Sequence, residues 1–131
     1  MAIYGIGANY NDVDVSQEFI NGEIACIGWN ISEAPELYQI FRNVKNGDVI
    51  YIKSFSPSNG LYIKAVGIVT NNEIKKETQG LGVSVKWIWD GYHHYGKVHD
   101  KYNVRSITIY EEYNKDIQDL ILDLIFSKIA K

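Results

Sequence analysis

The stretch Gly47-Asp48-Val49-Ile50-Tyr51-Ile52-Lys53-Ser54-Phe55 returns, after Ser56-Pro57-Ser58-Asn59, as Gly60-Leu61-Tyr62-Ile63-Lys64-Ala65-Val66-Gly67-Ile68-Val69-Thr70, and its reading decides the fold. Asn46-Gly47 is a breaker pair that closes whatever precedes it. From Asp48 to Phe55, Val49, Tyr51 and Lys53 alternate with Ile50, Ile52 and Ser54, the period-two pattern of a strand. The turn Pro57-Ser58-Asn59-Gly60 carries the chain back, so the two runs predict a hairpin whose register the turn sets.

Working towards the N-terminus, Ser32 offers a helix cap ahead of Pro35. Leu37, Ile40, Phe41 and Val44 then follow at the spacing of one helix face. Ile24 to Trp29 reads as a compact apolar strand, Ser16 to Asn21 as one helical turn, and Ile3 to Ala8 as a first strand running into the polar segment Asn9 to Asp14. Towards the C-terminus, Asn71 to Gly80 is polar and loop-like. Val83, Val85, Trp87 and Trp89 fall on one face of a further strand. A long aromatic loop, Asp90 to Asn103, leads to a strand at Val104 to Tyr110. A helix capped by Asn114 ends the chain, with Ile117, Leu120, Ile121, Leu124 and Ile125 as its buried stripe.

The 131 residues predict one domain, residues 1–131, because halves would be too small for good cores. The hydrophobic content of 46% is ordinary for a packed protein. Cys26 is the single cysteine, which excludes an intramolecular disulfide framework. It sits in the apolar run Ile24 to Ile27, where burial rather than nucleophilic chemistry is expected. No signal-like N-terminus or membrane-length apolar run is present, so cytoplasmic residence is the expectation. The net charge of −3 leaves no overall basic surplus for holding duplex nucleic acid through its phosphates, so any nucleic-acid role rests on a local patch and a base pocket, or on a partner that supplies the charge. Five or six strands with two substantial helices predict an α+β fold, a curled, partly closed sheet flanked by helices.

The order of Gly28-Trp29, a helix, Gly47-Asp48-Val49-Ile50-Tyr51, and Ala65-Val66-Gly67-Ile68-Val69 resembles the PUA-like superfamily. Within it the chain is most similar to the EVE and YTH branch and to the related reader domains of modification-dependent restriction systems. The resemblance spans residues 1 to 110 and implies a mixed, partly closed β-barrel. It also implies a non-catalytic role: a pocket that takes a nucleobase, often modified and flipped from its strand, in a defence-related or regulatory setting.

A flat base needs aromatic faces to stack on and a few amide or backbone groups to read its edge. Trp29 matches the tryptophan position of the family, and its two readings are a pocket wall and a core side chain. Asn9 and Asn30 carry amides at strand ends, which suit either a base edge or turn chemistry. Ser54 and Phe55 end the core strand and are candidates for a pocket rim. Trp87 and Trp89 divide between core packing and ligand stacking. The run Trp89-Asp90-Gly91-Tyr92-His93-His94-Tyr95 suggests a contact loop with Tyr92 in it. Lys97, Lys101 and Arg105 are the candidate phosphate contacts.

His93, His94 and His99, with Asp90 and Asp100, lack the four-ligand spacing of structural zinc, and no metal or cofactor is expected. Neither Asp48 to Lys53 nor Glu73 to Lys75 supplies the second carboxylate of a nuclease centre. No nucleophile elbow or phosphate-cradling glycine loop appears either, so no enzymatic activity is expected. The expected partners are a nucleic acid carrying the base or a free nucleotide in the same pocket. Leu122 and Phe126, apolar and outside the stripe of the last helix, raise the alternative of a homo-oligomer or protein-interaction module.

Overall fold

A computed structural model describes residues 1–29, 31–99 and 104–129. In chain order the elements are β1 (Ile3–Gly7), β2 (Asn9–Tyr10), β3 (Val13–Asp14), α1 (Ser16–Gly22), β4 (Ile24–Ile27), α2 (Pro35–Arg42), β5 (Val49–Ser56), β6 (Gly60–Glu77), β7 (Gly80–Gly96), β8 (Ile109–Glu111) and α3 (Lys115–Ile129). The protein is α+β: a curled six-stranded sheet in the order β4-β7-β6-β5-β1-β8 forms a half-barrel, accompanied by the three helices. The quoted hairpin is its centre. β5 pairs antiparallel with β6, with Ser56 opposite Gly60 across the expected turn, and parallel with β1, with Val49 opposite Ile3.

Alternation along β5 explains why both sheet faces are covered. Ile50 and Ile52 join Tyr4, Ile6, Ala65, Val83 and Val85 in a core closed by Phe19 of α1 and Phe41 of α2. Val49 and Tyr51 join Ile3, Leu61, Ile63 and Tyr110 in a second core under α3. That helix buries Ile117, Ile121 and Ile125, with Leu120 and Leu124 packed beside them. It begins as the sequence predicts, with Asn114 Oδ1 accepting from Ile117 N at 3.1 Å. Cys26 is fully buried, and burial pushes its thiol up to about 12, which leaves it inert.

The Gly47-Asp48 turn has a physical reason for its residues. Gly47 adopts φ +90°, a left-handed conformation that suits glycine. Asp48 accepts from Ala2 N (3.0 Å) and Lys45 N (2.8 Å), so one carboxylate ties the N-terminal strand to the loop after α2. Gly67 allows a close approach: a Cβ there would stand 2.6 Å from Val85 Cγ1.

Several expectations need correction. β6 and β7 run on through Glu77 and Gly96, so 71–77 and 90–96 are strand rather than loop. Their mutual backbone hydrogen bonding satisfies a polar and aromatic sequence that carries no apolar alternation of its own. The last strand is short, Ile109–Glu111, and 104–108 is irregular among the described residues. Ala34, not Ser32, is the N-cap of α2, with Pro35 in the first turn. Trp87 and Trp89 do not share a face. Val66 pairs with Trp89 but Gly67 with Trp87, so Ile88 is an extra residue that flips the alternation.

Candidate functional site

The half-barrel has two edges, β4 and β8, and the site lies at the seam between them. Asn11 and Asp12, at φ 51° and 67°, form the tight turn of the β2–β3 hairpin. Tyr10, next to that turn, donates its hydroxyl to Cys26 O at the end of β4 (3.2 Å). From the β4 side, Trp29 Nε1 donates to Thr108 Oγ1 at 3.3 Å, and Thr108 O in turn accepts from Gly7 N at 2.8 Å. Side chains rather than a strand ladder thus bridge the seam.

A cleft of about 620 Å³ opens there, lined by Asn9, Tyr10, Trp29, Lys53, Ser54, Phe55, Lys64 and Thr108 among others. Four residues expected at a pocket, Asn9, Trp29, Ser54 and Phe55, come from three distant segments and meet in this one cleft. Trp29 remains 47% exposed, so it is a wall and not a core side chain. Asn30 lies outside the described residues.

Two lysines of the cleft, Lys53 and Lys64, are not among the expected site residues. Lys53 lies opposite Gly7 on β1 and is buried. Its Nζ donates to Arg105 O at 2.7 Å, and burial pushes its pKa down to about 8. A lysine interrupting the alternation Val49-Tyr51 of a central strand was the available signal, since a charge at an inward register needs a reason. Lys64 is the extra residue of a bulge between Ile63 and Ala65, which re-aims its side chain to the cleft rim. There it pairs with Asp14 at 2.9 Å. Burial raises the Asp14 pKa, but hydrogen bonds from Ser16 and Lys64 outweigh that and hold it below the usual carboxylate range.

The other expected site residues lie elsewhere. Trp87 packs on the α1/α2 core, donating Nε1 to Phe19 O (3.0 Å) and Ile24 O (3.1 Å), while Trp89 packs on the opposite core. Tyr92 is 66% exposed and stacks on Tyr62 (centroids 4.8 Å apart), which stacks in turn on His94 (4.2 Å). This ladder adjoins the cleft, because Tyr62 is the cross-strand partner of Ser54. Tyr92 also lines a second hollow of about 300 Å³, which shares Lys64 with the first.

Lys97 is exposed just after β7, and Lys101 lies outside the described residues. Arg105 is not a surface phosphate contact. It is 2% exposed, and its guanidinium is committed to Glu112, Nε to Oε1 at 3.2 Å and Nη2 to Oε2. His94 bonds Asn59 O at 2.7 Å. Asp100 lies outside the described residues, and among those described no group of three or more side chains is placed to hold a metal ion. At the C-terminal helix, Leu122 packs on the core while Phe126 is 58% exposed. Among the described residues no helix is long and apolar enough to cross a membrane.

Chemically, the cleft offers one half-exposed indole face, several amides and hydroxyls, two ammonium groups and the Glu33 carboxylate. No protein-family model and no curated protein matches this sequence.

Proposed function

We propose that this protein is a non-catalytic, PUA-like reader that takes a single nucleobase, flipped from a DNA or RNA strand, into the seam cleft against Trp29. The observation that carries this reading is the convergence of Asn9, Trp29, Ser54 and Phe55 on one cleft of about 620 Å³. That volume falls in the range of small-ligand sites, about 300–1,000 Å³. The indole supplies a stacking face, worth roughly 1–3 kcal/mol per base. The amides of Asn9 and Asn11 and the hydroxyls of Ser54, Ser106 and Thr108 supply the donors and acceptors that read a base edge. A modified base is the preferred target, as the EVE and YTH resemblance implies, and defence against foreign DNA is the corresponding setting.

The net charge of −3 favours a second reading, a free nucleotide in the same cleft, since a small ligand needs few phosphate contacts. Fluorescence anisotropy with a panel of plain and modified oligonucleotides, alongside Trp29→Ala, tests the main proposal. Selective binding that the Trp29→Ala variant loses is the expected result. Equal, tryptophan-independent binding across the panel would sink the pocket. A nucleotide that raises the melting temperature, while no oligonucleotide binds, would select the second reading.

A further inference from the structure

We propose that Lys53 is the specificity-determining residue of the seam cleft, selecting bases with an oxo oxygen at purine C6 or pyrimidine C4 (guanine, uracil, thymine) over those with an exocyclic amine at that position (adenine, cytosine). The inference rests on the base-reading function proposed above and assigns that site its ligand class.

An ammonium carries three N–H groups and no lone pair, so it can only donate. Lys53 Nζ makes one hydrogen bond, to Arg105 O at 2.7 Å, and approaches the Tyr110 ring at 5.8 Å from its centroid. Among the described residues no carboxylate pairs with it. Glu112 is held by Arg105, and Asp14 by Lys64. A buried cation of this kind is costly unless further acceptors reach it, and an apolar side chain of the same length would fill the space without that cost.

The open side of the ammonium is the cleft. Gly7, Lys53 and Thr108 line it together, and a Cβ built on Gly7 would stand 3.5 Å from Nζ, an ordinary contact distance. Glycine at that position leaves the ammonium uncovered, with room for one ligand atom beside it. An oxo oxygen placed there accepts from one of the two remaining N–H groups. An exocyclic amine presents a donor to a donor and leaves the buried ammonium without a second acceptor, the kind of mismatch that gives discrimination. Lysine contacts to guanine O6 and N7 follow the same chemistry in DNA grooves. Of the remaining charges, Arg105 with Glu112 and Lys64 with Asp14 are already paired, and Glu33, the carboxylate that lines the cleft, is engaged in an interaction of its own.

The test uses ligands without phosphate. Guanosine, uridine, adenosine and cytidine are titrated into the whole protein and followed by NMR shifts, with inorganic phosphate as a separate arm. Wild type is expected to bind guanosine and uridine about tenfold more tightly than adenosine and cytidine. Lys53→Met removes the donor, keeps the volume and is expected to erase that preference. Gly7→Ala keeps the charge but covers it with a methyl group, and is expected to erase most of the preference; it also serves if Lys53→Met does not fold.

Equal affinities in wild type, or a preference that survives both substitutions, would overturn the inference. So would inorganic phosphate that displaces nucleosides in a Lys53-dependent way, since the ammonium would then be reading an anion. Nucleosides that bind without preference, and lose binding with Trp29→Ala, leave the base-reading function standing and remove only the role of Lys53. No nucleoside binding at all removes both.

Discussion

Two buried cations lie one hydrogen bond apart in this protein, and they live under opposite rules. Arg105 and Glu112 are 2% and 1% exposed, and the carboxylate is saturated: it accepts from the guanidinium, from Tyr51 Oη at 2.7 Å and from Asn114 N at 3.0 Å. Tyr51 Oη also bonds Tyr110 Oη at 2.7 Å, so the network spans β5, β8 and the start of α3. Lys53 donates to the backbone oxygen of Arg105 but, among the described residues, has no carboxylate of its own, and it opens on the cleft. The difference teaches where structure ends and the site begins. A buried charge with every partner supplied by the chain is a fastening. One left partly unsatisfied beside an opening is available to a ligand.

Breaking the Arg105 side should have the largest effect. Glu112→Ala takes the Glu112 carboxylate away from both the buried guanidinium and Tyr51 Oη. Loss of one partner of a buried pair costs about 3–5 kcal/mol. Urea unfolding should show the midpoint falling sharply with little change in slope. A midpoint within experimental error of wild type would show that water reaches Arg105 and that the contrast between the two cations is false.

Lys53→Met should act in the opposite direction and more weakly. At pH 7 the wild type holds a desolvated ammonium, while methionine needs no charge compensation, so the variant should gain on the order of 1 kcal/mol. The pH dependence carries the sign. The folded-state pKa of about 8 lies below the ordinary lysine value of 10.5, so between those values the unfolded chain binds more protons than the folded one. Wild-type stability therefore contains a lysine contribution that is fully present above pH 10.5 and is lost as pH falls through 8. The advantage of Lys53→Met should shrink as pH rises from 7 to 9.5. Comparing the two proteins at each pH cancels the titration of the buried tyrosines, among them Tyr51 and Tyr110, whose pKa values burial also raises. A variant that is less stable than wild type at pH 7 would make the bond to Arg105 O structural and remove the contrast.

How much of this was legible beforehand follows the same division. The β5–β6 hairpin, the α2 face from Leu37 to Val44 and the α3 stripe were readable because each repeats a local period over many residues. Trp29, Asn9, Ser54 and Phe55 were singled out from the order of elements and from their places near predicted strand ends, and the fold brings the four to one cleft. The two faces of Trp87 and Trp89 were not readable. The bulge at Ile88 is fixed by the partner Gly67, twenty-one residues away, and no local pattern encodes it. Arg105 was misjudged for a similar reason. A basic residue in a polar stretch gives no hint that Glu112 and Tyr51 will enclose it. Lys53 was visible as an oddity in its strand, but its meaning depends on Gly7 from β1 being alongside.

Tyr51→Phe probes the fastening with a smaller perturbation. It deletes the hydroxyl that joins Tyr110 to Glu112 and leaves the ring packed beneath α3. The loss should be about 1–2 kcal/mol in urea unfolding, because Arg105 and Asn114 still satisfy the carboxylate. A cost as large as that of Glu112→Ala would move the keystone of the network from the ion pair to the hydroxyl.

The smallest stability effect belongs to Trp29→Ala, and its smallness is the point. The indole is 47% exposed, belongs to neither buried core and, among the described residues, makes one side-chain hydrogen bond, to Thr108 Oγ1 at 3.3 Å. Truncating a fully buried tryptophan costs about 3–5 kcal/mol, whereas a change outside such features usually stays within about 0.5 kcal/mol. Trp29→Ala should fall near the lower figure, shifting the melting temperature by only a few degrees while removing the stacking face of the cleft. A cost near the upper figure would make Trp29 a strut that holds β4 against the segment before β8. The seam would then be part of the fastening, and the loss of ligand in the same variant would report a collapsed cleft rather than a missing wall.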